Sequence, residues 1–172
     1  MPQDRTPRPR GDAGAPGPRP PAEGVEFEKI SGDIRVHRHL SARTKARKRA
    51  LDVLFEAEAK RVDPIVVLDE RCVLAQPPIR EFTIELVRGV VAHAAEIDAR
   101  IRTATAADWP LERLAGVDRN LARIAVYEID HTDVPTEAII SEAVELADEF
   151  STEDSAQFLN GLLAKVAESR GA

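Results

Sequence analysis

"SARTKARKRALDVLFEAE", residues 41–58, decides how the chain folds. Within it Ala46, Ala50, Val53, Leu54 and Ala57 recur at three- and four-residue intervals, the spacing that gathers apolar side chains into one stripe of an α-helix. Ser41 stands where a hydroxyl can accept from the free backbone N–H groups of the first turn. Most of the stripe is small, so a second helix can pack closely on it. The same stretch sets Arg43, Lys45, Arg47, Lys48 and Arg49 into seven positions. A rotation of about 100° per residue spreads them over two neighbouring flanks of the helix.

Helical spacing continues toward the C-terminus. Asp63 and Pro64 open a shorter helix to about Ala75, because proline lacks an N–H that the first turn leaves unpaired anyway. "QPP" at 76–78 ends it. Ile79 to about Thr105 reads as one long helix with Phe82, Leu86, Val90, His93, Ile97 and Ile101 on one face. Gly89 inside it costs about 1 kcal/mol relative to alanine, tolerable if another helix passes closely there. Trp109 and Leu111 are expected to seal the end of the core. Asp118 is the expected N-cap of a helix carrying Leu121, Ile124, Ala125 and Ile129, which breaks at Pro135. Ile139, Ile140, Ala143, Val144, Ala147 and Phe150 mark the next. Ser151 with Asp154 three residues on resembles a capping box for the last helix, which carries Leu159, Leu162, Leu163 and Val166. No stretch shows sustained period-two alternation between hairpin turns, so the predicted class is all-α with no sheet.

Toward the N-terminus the pattern fades. Residues 1–24 are dominated by Pro, Gly and Arg and hold too little apolar surface to offset the entropy of ordering. "VEFEKISGDIRVHRHL", residues 25–40, has short apolar patches without a sustained period. Residues 1–40 therefore read as a disordered Pro/Gly/Arg-rich tail, and 41–170 as one all-helical domain.

Several function classes drop out. No apolar run approaches the roughly 20 residues needed to cross a bilayer, and the proline-rich start lacks the apolar core of a signal peptide. The expected location is the cytoplasm, with no membrane partner. The one cysteine, Cys72, cannot form an internal disulfide and reads as a small apolar filler on a helix. His37, His39, His93 and His131 show no four-residue pairing on a helix face, so no metal is expected. There is no glycine-rich phosphate loop ending in Lys-Ser/Thr, no HExxH and no GxSxG. The carboxylates of "VELADEFSTEDS", residues 144–155, read as a solvated helix face. No catalytic residue and no cofactor are expected.

Charge divides the chain sharply. Residues 1–49 hold 12 Lys and Arg against 6 Asp and Glu, whereas the remaining 123 hold 12 against 24, within a net charge of −6. A basic arm on an acidic body suits a phosphate-bearing ligand at one end and a basic protein at the other. The ridge from Arg43 to Arg49 can follow a phosphate backbone, but it has no aromatic until Phe55 for base stacking.

Three stretches resemble the NusB family of bacterial transcription antitermination factors: "ARKRALDVLFEAE" at 46–58, "VDRNLARIAVYEI" at 117–129, and "VPTEAIISEAVELADEFSTEDSAQFLNGLLAKV" at 134–166. Their order and spacing run from about Ser41 to Val166, and "EDSAQFLNGLL" is the most specific part. Departures are small: Ala122 where leucine is common, Ser141 where asparagine is frequent, and Leu159 where valine is usual. The resemblance implies two packed helical subbundles. It also implies pairing with NusE, a small-subunit ribosomal protein, and binding of boxA RNA on nascent transcripts, notably ribosomal RNA. With NusA, NusG and RNA polymerase such a pair resists premature termination.

Site residues follow from the resemblance. It sets Arg43, Lys45, Arg47, Lys48 and Arg49 against RNA, with Phe158 as a stacking platform and Asp154 as an acceptor for a base. Phe55 and Asp118 resemble positions near the NusE-facing region. Read from the residues alone, Phe158 and Phe55 equally suit core packing, and Asp154 and Asp118 equally suit helix capping. Glu112, Glu128 and Asp130 would help the acidic body receive a basic partner. Gly161 reads as permitting close helix approach. Reversing the charge at Arg47 and Lys48 is expected to weaken boxA binding without unfolding the domain. Two other readings compete: the helical module that precedes the catalytic part of some ribosomal RNA cytosine methyltransferases, and a homodimer that masks the basic helix. The first lacks a cofactor-binding glycine loop here, since "GDAGAPG" follows no strand.

Overall fold

The computed structural model describes residues 25–30, 33–38, 41–105 and 110–171, with side chains for 41–105 and 110–170. The chain divides into two units, Met1–His39 and Leu40–Ala172. In the first, β1 (Val25–Ile30) and β2 (Asp33–Arg38) pair antiparallel, with Phe27 opposite Val36 and Glu28 opposite Arg35. This corrects the reading of residues 25–40 as a strandless part of the tail. Val25 and Phe27, then Ile34 and Val36, form a period-two pattern only two apolar positions long in each strand, short enough to pass for isolated patches. The two strands are separated by Ser31 and Gly32, a spacing and composition typical of a hairpin. Residues 1–24, expected to be disordered, lie outside the described residues, as does Trp109.

The second unit is all-α, as expected. Among the described residues its seven α-helices are α1 (Ala42–Lys60), α2 (Pro64–Leu74), α3 (Glu81–Ala92), α4 (Ala94–Ala104), α5 (Gly116–His131), α6 (Thr136–Phe150) and α7 (Glu153–Glu168). Helices α1, α2 and α3 pack on one another, α6 packs on α7, and α5 touches α1, α3, α4, α6 and α7. That central place explains the sequence of α5: Leu121, Ala122, Ile124, Ala125, Val126 and Ile129 are all buried. On α1 the predicted stripe of Ala46, Ala50, Val53, Leu54 and Ala57 is buried throughout. Gly89 lies where a Cβ would overlap the ring of Tyr127 on α5, so its lack of a side chain is what lets α3 and α5 cross.

Six local expectations are corrected. The long helix breaks at His93, whose φ of −108° and ψ of 17° separate α3 from α4. The break takes one residue, so the apolar spacing from Val90 to Ile97 continues across it and hides it in the sequence. Thr152, not Ser151, caps α7 by accepting from the Ser155 N–H at 3.1 Å. The N-cap of α5 is Ala115, and Asp118 lies inside the first turn, where its charge faces the positive end of the helix dipole. Gly161 faces open space, and Phe150 and Cys72 are exposed rather than buried.

Candidate nucleic-acid interface

The basic residues of α1 separate by their angle around the helix. Lys45, Lys48 and Arg49 line a cleft of about 340 Å³, closed on its far side by Pro77, Pro78, Ile79 and Arg80 before α3. Four cations thus converge on one concave surface, with Asp52 the one carboxylate in its lining. Arg49 lies 3.9 Å from Asp52, a distance at which the exposed pair is held loosely. Lys48 reaches α6, bonding Glu149 at 2.7 Å and standing 5.2 Å from the centre of the Phe150 ring. Arg43 is exposed and lies over the Phe82 ring at 5.3 Å.

Arg47 belongs to the opposite flank, and its assignment to an RNA-facing ridge is corrected. It is 4% exposed and grips Glu128 of α5 through two bonds, Nε to Oε2 at 2.8 Å and Nη2 to Oε1 at 2.6 Å. Glu142 of α6 stands 3.5 Å away. Burial by itself would lower the guanidinium pKa. The hydrogen bonds and charge of Glu128, with help from Glu142, outweigh burial and hold it above its ordinary value. Reversing this charge would leave the buried Glu128 carboxylate, with the partly exposed Glu142 beside it, facing a like charge, so the domain is expected to lose stability, against the expectation that it stays folded.

Further along α1 the contacts turn acidic. Glu56 receives Lys60 and Arg71, tying α1 to α2. Glu58 receives Arg119, Asn120 and Arg123 from α5. Its carboxyl is held below the usual range, chiefly by the Arg119 hydrogen bond against the opposing effect of burial. Arg119 also donates to the carbonyls of Leu111, Glu112 and Leu114, so it fastens the connection before α5.

The remaining predicted residues fall elsewhere. Phe55 is 45% exposed and lies beside Gly116 at the start of α5. Asp118 is 7% exposed and accepts from Ser155 Oγ at 2.7 Å, which binds the first turn of α7 to the first turn of α5. It is buried, so it positions its neighbours rather than offering a free contact. Asp154 is exposed in the first turn of α7. Phe158 is half-buried against the core and lines a separate cavity with Ala104, Thr105, Gln157, Gly161, Leu162 and Lys165. That cavity and the basic cleft share no residue. Glu112, Glu128 and Asp130, assigned to the acidic body, are each engaged by an arginine of the same chain: Arg102, Arg47 and Arg100.

Sequence reasoning missed Arg80, Glu149 and Phe150. Arg80 is one basic residue in a loop, and only the fold brings it to α1. Phe150 fits the apolar spacing of α6, which gives no hint that the helix ends at the surface.

A fold and a surface of this kind can be set beside known proteins. The sequence pattern of the NusB family matches residues 44–168. Transcription antitermination protein NusB of Cutibacterium acnes is 50% identical over 142 residues, covering 83% of this chain and 54% of that one. The chain thus spans about half the length of that relative. It spans 95% of the protein of the same name from Kineococcus radiotolerans, at 48% identity over 130 residues and 75% of this chain. Among solved structures, NusB of T. maritima aligns with a TM-score of 0.67 at 32% identity, covering 74% of this chain and 92% of that one. A second, with a TM-score of 0.62 and 25% identity over 74% of this chain and 96% of that one, comes from a complex of the antitermination factors NusB and NusE with dsRNA. With sequence pattern, identity and helical architecture in agreement, the chain belongs to the NusB family, and the relatives it matches are transcription antitermination proteins.

Proposed function

We propose that the chain is a noncatalytic adaptor that pairs with a NusE-type ribosomal protein and binds boxA RNA on nascent transcripts, so that RNA polymerase resists premature termination. The observation that carries this reading is the cleft in which Lys45, Lys48, Arg49 and Arg80 converge, on a chain whose family likeness includes a protein solved with NusE and dsRNA. A phosphate backbone is attracted to such a cleft because each neutralised phosphate releases a counterion. Phe150, beside the Lys48 ammonium, offers a ring for an unstacked base. Arg43 extends the cation row at the start of α1. Asp154 and Phe158 on α7 form a second RNA contact, Asp154 as acceptor and Phe158 as platform. Phe55 is the exposed apolar contact for the ribosomal protein, with Asp118 holding the adjoining helix ends in place. NusA, NusG and RNA polymerase complete the assembly.

A titration of boxA RNA and a scrambled sequence, each with and without NusE, tests this directly. Tighter binding of boxA, strengthened by NusE, is the expected result. Equal affinity for both sequences, unaffected by NusE, would overturn the reading.

A further inference from the structure

The break between α3 and α4 builds a second site at the C-terminal end of α5. His93 is the residue at the break, Glu96 follows one turn later on α4, and His131 is the last residue of α5. Their donor atoms, one from each residue, all lie within 4.8 Å of one another. His93 Nδ1 is 3.3 Å from Glu96 Oε2, and His131 Nε2 is 3.8 Å from the same oxygen. The two imidazoles overlap, with centroids 3.9 Å apart and planes inclined at 30°. Tyr127, one turn before His131, stacks on it at 5.3 Å and forms the floor of the group.

From this arrangement we propose that His93, Glu96 and His131 bind a divalent transition ion, with Zn²⁺ as its representative. A tetrahedral zinc with ligand bonds of about 2.0–2.2 Å separates neighbouring donors by about 3.3–3.5 Å. Two of the separations already approach that value, and small side-chain rotations bring in the third donor. Two imidazoles with one carboxylate select zinc and its transition-metal neighbours over magnesium or calcium, which prefer all-oxygen shells. The side chains are 40%, 57% and 26% exposed, so the ion is reached from solvent and a water can take the fourth position. The four-residue pairing sought in the sequence does not find this site, because His93 sits at the α3–α4 break and His131 at the end of α5, 38 positions away, and only the fold brings them together. The bound ion ties the α3–α4 junction to the C-terminal end of α5 and so stiffens that contact.

The test uses the full chain carrying Cys72→Ser, which removes the thiol as a competing ligand. Zinc is titrated calorimetrically, and Co²⁺ absorption is recorded in parallel. The expected result is one equivalent bound with Kd on the order of micromolar, given three ligands on an exposed surface. A visible cobalt band without thiolate charge transfer and a melting temperature that rises with zinc are also expected. His93→Ala and His131→Ala each weaken binding at least about tenfold and abolish the melting shift. Glu96→Gln, a surface change that leaves packing untouched, weakens it in the same sense. No saturable binding below about 1 mM, or binding that persists unchanged in the His93→Ala/His131→Ala protein, would overturn the proposal.

Discussion

Arg47 and Arg49 stand two positions apart on α1, and the structure gives them opposite surroundings. Arg47 turns inward and is consumed by Glu128 and Glu142. Arg49 turns outward, with Lys45 and Lys48, onto the cleft closed by Arg80. The difference is set by about 200° of helical rotation between them. It teaches that a run of basic residues is not one feature: its inward member holds three helices together, while its outward members face the cleft, Lys48 also paired with Glu149 and Arg49 loosely with Asp52.

The strongest way to break this division is to remove the inward charge. Arg47→Ala leaves Glu128 buried at 1% exposure without its partner, and is expected to destabilise the domain by about 3–5 kcal/mol. Urea unfolding followed by circular dichroism measures it. Pairing Arg47→Met with Glu128→Leu restores most of the loss if the damage comes from the stranded carboxylate. A smaller effect separates two glycines in the same way. Gly89→Ala drives a methyl into the Tyr127 ring and is expected to cost about 1–3 kcal/mol. Gly161→Ala, which meets open space, is expected to stabilise by up to about 1 kcal/mol. Thermal melts of the two variants therefore move in opposite directions.

The least effect lies where α1 meets α2. Hydrogen bonds from Lys60 and then Arg71 hold the Glu56 carboxyl down to about 2, against an ordinary value of 4.5. A depressed carboxyl stabilises the fold above its unfolded pKa and loses that contribution as protons bind. The stability gap between the native chain and Glu56→Gln is therefore expected to be full above about pH 4.5 and to fade as pH falls toward about 2. Acid titrations of both proteins, monitored by circular dichroism, check the window. A gap independent of pH would show that Glu56 does not act through its charge.

Much of the helical body is legible in the sequence because its signal is periodic. The stripe of α1, the Asp63-Pro64 start of α2 and the core positions of α5 all follow from spacing and capping chemistry. What spacing cannot give is partnership across the fold. Nothing in "KARKR" distinguishes Arg47 from its neighbours until Glu128 is seen 81 positions away. Arg80 joins the cleft and Phe150 joins Lys48 for the same reason: tertiary packing brought them there. The one-residue break at His93 is hidden because it leaves the apolar period in step, and with it goes the meeting of His93 and His131. The hairpin of β1 and β2 is missed because each strand carries too few apolar positions to register an alternation.

The most direct measurement of the central division compares Lys45→Glu/Arg49→Glu with Arg47→Ala, reading boxA affinity across a salt series and unfolding free energy on the same preparations. With about four phosphates neutralised, the native chain is expected to lose affinity with a log–log slope near −3. The outward double variant should bind at least about tenfold more weakly with a slope nearer −1.5 while unfolding like the native chain, and Arg47→Ala should lose stability first. Unchanged affinity and slope in the outward variant, or native stability in Arg47→Ala, would contradict the account.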